Sequence, residues 1–202
     1  MEINENGRIY KSSDRGKNWT AVFDGGESFF YSQGFYNNFI MVHPFDPSHA
    51  IAGGIDIYLT SDGGKNWSNK SKAYSGGNVH MDQHCGAYNP ENPDEIFVGN
   101  DGGVYRSTDA GQTWLPKNKG LAITQFYALA LDERQAYRTF GGTQDNGTSG
   151  NPASETWEVL LKGDGFRVIV DPDNADIIYG EYYNGGLWKY DLKENMKSTI
   201  TN

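Results

Sequence analysis

An all-β fold of repeated four-stranded antiparallel sheets is predicted by three observations in this 202-residue chain. First, the pattern Ser/Thr-x-Asp-x-Gly-x-x-Trp occurs three times: Ser12 to Trp19, Thr60 to Trp67 and Ser107 to Trp114. The aspartates Asp14, Asp62 and Asp109 lie 48 and then 47 residues apart. Second, a Pro/Asp-rich signature alternates with that pattern. It reads Pro44-Phe45-Asp46-Pro47, Pro90-Glu91-Asn92-Pro93 and Pro172-Asp173-Asn174-Ala175, each followed by an apolar run ending in glycine. Third, glycine is abundant (26 residues), aromatics make up 14%, and no long stretch has apolar 3.6-residue periodicity. Short strands joined by glycine turns explain that composition, and a fixed period in this range marks a repeat architecture.

In chain order, one repeat reads strand A, a Pro/Asp turn, strand B ending in glycine, a glycine loop, strand C, the Asp motif, and strand D starting at tryptophan. Such a meander has the length of a β-propeller blade. The chain opens on a C–D pair only, blade 1 (7–25). Blade 2 spans 39–71 and blade 3 spans 80–118. Blade 4, 125–161, keeps the order with decayed markers: Phe126–Leu131 as A, Tyr137–Gly141 as B and Thr156–Leu160 as D. Blade 5, 165–202, has Gly186–Asp191 as strand C and Lys197–Thr201 as strand D, with Lys193 where the turn glycine belongs. About four and a half blades predict an incomplete piece of a larger propeller, with further blades or domains in a longer parent chain.

The formal charge is −9. No Lys/Arg cluster with interleaved aromatics offsets it, so nucleic acid is excluded as a partner. Cationic, neutral or sugar ligands fit the sign. Cys85 is the single cysteine, so neither an intramolecular disulfide nor a cysteine zinc site is expected. No apolar run is long enough for a membrane span. The first six residues are polar and carry no signal-peptide core. No Gly-x-Ser-x-Gly elbow is present.

The Asp motif resembles the BNR or Asp-box repeat of sialidases, xyloglucanase-type glycoside hydrolases and sortilin-type receptor ectodomains. His80-x-Asp82-x-His84 followed by Val98–Tyr105 is similar to secreted bacterial Asp-box propellers labelled sortilin-like or glycosyl hydrolase. Gly141-Gly142-Thr143-Gln144-Asp145-Asn146-Gly147 and Gly163-Asp164-Gly165-Phe166 match that group in the same order. The resemblance implies secretion or a cell-surface location. It also implies that the box is structural: Ser12, Asp14, Gly16 and Trp19, Thr60, Asp62, Gly64 and Trp67, and Ser107, Asp109, Gly111 and Trp114. Asp and Ser/Thr tie down the C–D hairpin, and Trp packs between sheets.

The blade register places A–B and C–D turns at one end and D–A and B–C loops at the other. Asp56, His80, Asp82, His84, Asp101, Gln144, Asp145, Asn146, Asp164, Glu181, Tyr182 and Tyr183 fall at the second end. Three chemistries compete there. Inverting glycoside hydrolysis needs two carboxylates about 6.5–9.5 Å apart; Asp101 and Asp164, or Asp145, are the candidates, with Tyr74, Tyr182 and Tyr183 to stack on sugars. A metal site is open to His80, Asp82 and His84, which share one face if the segment is extended. Non-catalytic binding of a peptide or glycan through His80, Asp82, His84, Gln144, Asp145, Glu181 and Tyr182 is the leading expectation, and no cofactor is implied. Sialidase chemistry is disfavoured, because only Arg167 falls near that end; Arg8, Arg15, Arg106, Arg134 and Arg138 do not.

Overall fold

The computed structural model describes residues 7–23, 29–31, 33–135 and 137–200. The expectations for Met1–Asn6, for residues 24 and 25 of blade 1, and for Thr201 and Asn202 lie outside the described residues. The chain divides into two compact units, residues 1–121 and 122–202. The first holds a hairpin, β1 (Ile9–Lys11) and β2 (Thr20–Phe23), and two four-stranded sheets. These are β3 (Phe39–Val42), β4 (Ala50–Gly53), β5 (Ile57–Thr60) and β6 (Ser68–Asn69), then β7 (Gln83–Tyr88), β8 (Ile96–Asn100), β9 (Gly103–Ser107) and β10 (Leu115–Pro116). The second holds β11 (Phe126–Leu131), β12 (Thr139–Thr143), β13 (Gly147–Gly150) and β14 (Glu158–Leu161), then β15 (Val168–Val170), β16 (Ile177–Tyr182), β17 (Gly186–Asp191) and β18 (Met196–Thr199). Every sheet is an antiparallel meander in sequence order, the blade arrangement that the repeat predicts.

The two central strands of a sheet carry the core. β4 and β5 are nearly continuous buried runs, whereas β3 alternates. In the first unit Ile51, Ile57, Val79, Ile96, Val98, Tyr105 and Trp114 form the buried cluster. In the second it is Phe140, Leu160, Val168, Ile178 and Trp188. Strand B ends in glycine for a steric reason. A Cβ on Gly53 would lie 2.1 Å from the Phe39 ring, one on Gly141 2.4 Å from Phe126, and one on Gly180 2.1 Å from Trp188. In each case an aromatic ring occupies the place where a side chain would stand.

The three Asp boxes share one bonding scheme. In the first, the Ser12 hydroxyl donates to Asp14 Oδ1 at 2.8 Å and accepts the Gly16 amide at 2.8 Å. Asp14 also accepts the Asn18 amide at 2.9 Å. Thr60/Asp62/Gly64/Asn66 and Ser107/Asp109/Gly111/Thr113 repeat these contacts. The turn needs left-handed backbone at two successive residues: Arg15–Gly16, Gly63–Gly64 and Ala110–Gly111. Glycine at the second position removes the Cβ clash there. Blade 5 solves the same turn differently. Asp191 accepts the Lys193 and Glu194 amides, and Asn195 takes the left-handed position at φ 50°.

The tryptophans are not equivalent. Trp114 is 4% exposed and its Nε1–H has no partner among the described residues, whereas Trp19 is 63% exposed and donates to the Gly16 carbonyl. Trp114 thus lies in the buried cluster of the first unit, whereas Trp19 is largely exposed.

Strand limits also differ from expectation. β12 starts at Thr139, not Tyr137, because Asp132 and Arg138 exchange a backbone bond and a buried ion pair that close the preceding turn. β14 starts at Glu158, and β10 is short, Leu115–Pro116, with the Lys117 amide still donating to the Val104 carbonyl at 2.8 Å.

The box aspartates make acid sensitivity predictable. Hydrogen bonds from the Asn18 amide, the Asn18 side chain and Ser12 lower the Asp14 carboxyl to about 2. Bonds from Ser48 and His49 lower Asp46 to about 2. Asp62 is lowered chiefly by the Asn66 amide. At Asp109 burial pushes up, but the bonds from Thr113, Ser107 and Gln112 outweigh it, and the net shift is down. A depressed folded-state value gives stability that is present above the unfolded value and lost as pH falls through the folded one. The thermal midpoint of the first unit is expected to fall between about pH 4 and about pH 2. Circular dichroism melts across that window test this, and a flat profile contradicts it.

Candidate functional site

In the first unit, the segment beginning at Phe29 meets the B–C turn of the β3–β6 sheet. Phe29 is its anchor, 1% exposed and edge-on to Tyr58 at 4.3 Å and Trp67 at 5.7 Å. Its carbonyl accepts the Ile55 amide at 3.0 Å. Gly54 allows that approach, since a Cβ there would lie 2.1 Å from the Phe29 oxygen. The following Tyr31 has left-handed backbone and stacks on Tyr74 with centroids 4.8 Å apart and planes 23° apart. Tyr74 sits in a 3-10 turn, Ala73–Ser75, in the next D–A loop. Tyr31, Tyr74, Phe35 and Tyr36 are all exposed.

Gln33 closes a turn by accepting the Tyr36 and Asn37 amides at 2.8 and 3.1 Å. That turn carries Tyr36 to the β8–β9 loop, where its hydroxyl donates to Asp101 Oδ2 at 3.0 Å. His84 Nε2 bonds Asp101 Oδ1 at 2.6 Å, and the Tyr36 ring meets the His84 ring edge-on at 4.8 Å. The Asp101 side chain is 11% exposed and that of His84 33%. Each carboxylate oxygen thus faces a side chain from another element.

Neighbouring residues hold that arrangement. Asn100 Oδ1 accepts the Gly102 amide, and its Nδ2 donates to the His80 carbonyl and to Gln83 Oε1. The His80 side chain lies over Gly102, where a Cβ would come within 2.3 Å of the His80 Cβ and 2.5 Å of its ring. Asn100, not Asp101, therefore builds the turn.

His80, Asp82 and His84 do not share one face. Asp82 has φ 65°, so the extended segment begins only at Gln83, whose side chain points inward and is fully buried. Left-handed backbone at Asp82 breaks the alternation on which the metal reading rests. Among the described residues, no three His, Cys, Asp or Glu side chains are grouped to hold a metal ion. Asp56 is also interior, 3% exposed, with Ser71 Oγ and Asn69 Nδ2 both donating to it at 2.8 Å.

In the second unit, Asp164 is turned into a loop. Its Oδ1 accepts the Asp145 amide at 2.6 Å, and its backbone bridges to Gly147. Gly165 donates to the Thr143 carbonyl at 3.0 Å, so the Gln144–Gly147 and Gly163–Phe166 loops are fastened side by side. Asp145 takes the left-handed position at φ 59°, and Asn146 caps the Gln144 carbonyl. Tyr183 covers Gly163, and Tyr182 lies 5.1 Å from Tyr183. Glu181 is half-buried in β16. It lines a shallow cavity of about 190 Å³ with Arg167, Leu187 and Ile200.

Tyr31, Phe35, Tyr36 and Asn37 are the residues that sequence reasoning misses. Their segment has no counterpart in the other repeats, so the period does not place it. The run Phe29-Phe30-Tyr31 followed by Phe35-Tyr36 is the signal that was available.

The family model of the BNR-Asp box repeat matches residues 9–22, the first box hairpin. No curated protein matches the chain. Among solved structures, it is similar to the GH74 xyloglucanase from Xanthomonas campestris at 17% identity and a TM-score of 0.44, covering 100% of this chain and 35% of that one. It is also similar to a GH74 enzyme from Niastella koreensis at 19% identity and 0.45, over 97% of this chain and 34% of that one. YCF48 from Cyanidioschyzon merolae is similar at 12% identity and 0.39, over 95% of this chain and 66% of that one. The chain spans about a third of the length of the two GH74 structures.

Proposed function

We propose that this Asp-box β-propeller chain is a binding module that holds a neutral glycan on the D–A and B–C loop end of its first unit. The observation that carries the reading is the juxtaposition, on the single segment 29–37, of the exposed Tyr31–Tyr74 stack with the Tyr36–Asp101–His84 cluster. Aromatic faces supply apolar contact area at low conformational cost, and a few fixed polar groups set orientation. A formal charge of −9 suits a neutral ligand better than an anionic one. A peptide is the other ligand class that such a rim accommodates.

Hydrolysis is the weaker reading. It needs one carboxyl to act as acid and another as base. Asp164 turns its Oδ1 to the Asp145 amide, and both oxygens of Asp101 are engaged. Extracellular placement belongs to the same proposal and is tested by fractionating the native host.

The test is retardation in native gels containing soluble xyloglucan or β-glucan. Tyr74→Ala is expected to weaken retention about tenfold, equivalent to about 1.4 kcal/mol, with no change in thermal midpoint. Release of reducing sugar that disappears in Asp101→Ala and Asp164→Ala would replace binding by hydrolysis. No retention over a broad glycan panel would sink the glycan reading and leave peptide display screens to find the ligand.

A further inference from the structure

Asn37 and Asp82 hold an imbalance that ligand binding does not use. Asn37 is fully buried. Its Nδ2 donates to Gln33 Oε1 at 3.3 Å and to Asp82 Oδ1, so both amide protons are placed. Its carbonyl oxygen is buried and has no hydrogen-bond partner among the described residues. A buried acceptor without a donor is costly and calls for an explanation. The carboxyl next to it can provide one. An ionised carboxylate only accepts, whereas a protonated carboxyl also donates through its O–H. Acid and amide can then join by two opposed hydrogen bonds, and the orphan oxygen is satisfied.

We infer that Asp82 is a proton-carrying latch on the Asn37 amide. Protonated, it closes a two-bond pair and holds the 33–37 turn against the β7–β9 loops. Ionised, it leaves Asn37 Oδ1 unpaired and loosens that turn. The titratable groups acting on Asp82 are Asp101 from the β8–β9 turn and His80 and His84 from its own segment. Burial raises the Asp82 carboxyl above its ordinary range and Asp101 adds to this, while Asn37, His80 and His84 pull the other way. Tyr36 adjoins Asn37 and reaches Asp101, so the latch also positions the Tyr36 hydroxyl. That acidification strengthens ligand retention rests on the proposed role of this loop end; the latch itself does not.

The sign is opposite to that of the Asp boxes. A raised folded-state value means the folded protein keeps a proton that the unfolded chain releases. This group's contribution to stability therefore falls as pH rises through the folded value.

Asp82→Asn imitates the protonated acid at every pH, since its amide donates and its carbonyl accepts. Thermal midpoints of the full chain, without ligand, are read at about pH 7.5 and about pH 4.5. The variant is expected to melt about 3 °C above the natural protein at the higher pH, with that gap at least halved at the lower pH. Asparagine also tolerates left-handed backbone well, but a gain from that source does not depend on pH. A gap of equal size at both pH values therefore overturns the latch. In an Asn37→Leu background the pH-dependent part of the gap is expected to vanish, and its persistence overturns the latch as well. If Asn37→Leu does not fold, a carbon-13 carboxyl titration of the natural protein decides. An Asp82 midpoint at or below about 3.9, the ordinary aspartate value, overturns the latch, and a midpoint clearly above it supports it. None of these readouts involves a glycan, so they stand or fall apart from the binding proposal.

Discussion

Asp132→Ala is expected to destabilise the second unit by about 3–5 kcal/mol, the usual cost of leaving one member of a buried ion pair without its partner. The Arg138 side chain is 5% exposed and that of Asp132 1%. Arg138 Nη1 donates to Asp132 Oδ2 at 3.1 Å and Nη2 to Asp176 Oδ1 at 3.3 Å, while Nε has no partner among the described residues. Asp132 Oδ1 accepts the Arg134 amide at 2.9 Å as well. Its removal therefore leaves the buried guanidinium only its longer bond to the half-exposed Asp176 and opens the β11–β12 turn together. Urea unfolding followed by tryptophan fluorescence measures the loss. The double variant Asp132→Leu with Arg138→Met is expected to recover most of it, because apolar groups of similar volume replace buried ion pairs at little cost. A single variant within about 1 kcal/mol of the natural protein contradicts this account of the turn.

Gly142→Ala is the second large effect. A Cβ at this position would lie 1.9 Å from the Phe166 carbonyl oxygen and 2.6 Å from the Gly165 carbonyl carbon. Both are backbone atoms, so no rotamer change relieves the contact. β12 must separate from the 165–166 segment, and the Asp164 grip on the Asp145 amide goes with it. A loss of more than about 4 kcal/mol is expected. Gly141→Ala is the internal comparison. Its Cβ meets the Phe126 side chain at 2.4 Å, and a ring can swing aside. Equal effects of the two substitutions in urea unfolding would show that close backbone approach is not what requires glycine at 142.

The fold was legible because its staples repeat. Each Asp box needs a hydroxyl, a carboxylate and a left-handed pair at a set spacing, and the strand B glycines Gly53, Gly141 and Gly180 each sit against an aromatic ring. Such requirements leave marks in the sequence. The blade 5 turn shows how they decay, since Asp191 and Asn195 satisfy the same backbone without the tryptophan or the glycine.

The candidate site was legible only in part. Asn100-Asp101-Gly102-Gly103 and Gln144-Asp145-Asn146-Gly147 both read as turn chemistry, and no local signal separates an aspartate aimed at a histidine from one near a loop amide. Asp101 is distinguished by Tyr36, which arrives from a segment outside the repeat period. The left-handed backbone at Asp82 is equally silent, because aspartate occupies that region without a sequence marker. Contacts of long sequence separation decide both cases: Tyr36 to Asp101 spans 65 positions and Asn37 to Asp82 spans 45.

In the proposed binding module the loop end holds the ligand, while the Asp boxes fasten hairpins at the other end. Isothermal titration of a soluble neutral oligosaccharide against paired variants tests it most directly. The prediction is that Tyr74→Ala and Tyr36→Phe lower affinity with thermal midpoints unchanged, and that Asp14→Ala lowers the midpoint with affinity unchanged. Loss of affinity in folded Asp14→Ala, with full affinity retained in Tyr74→Ala, would contradict the account.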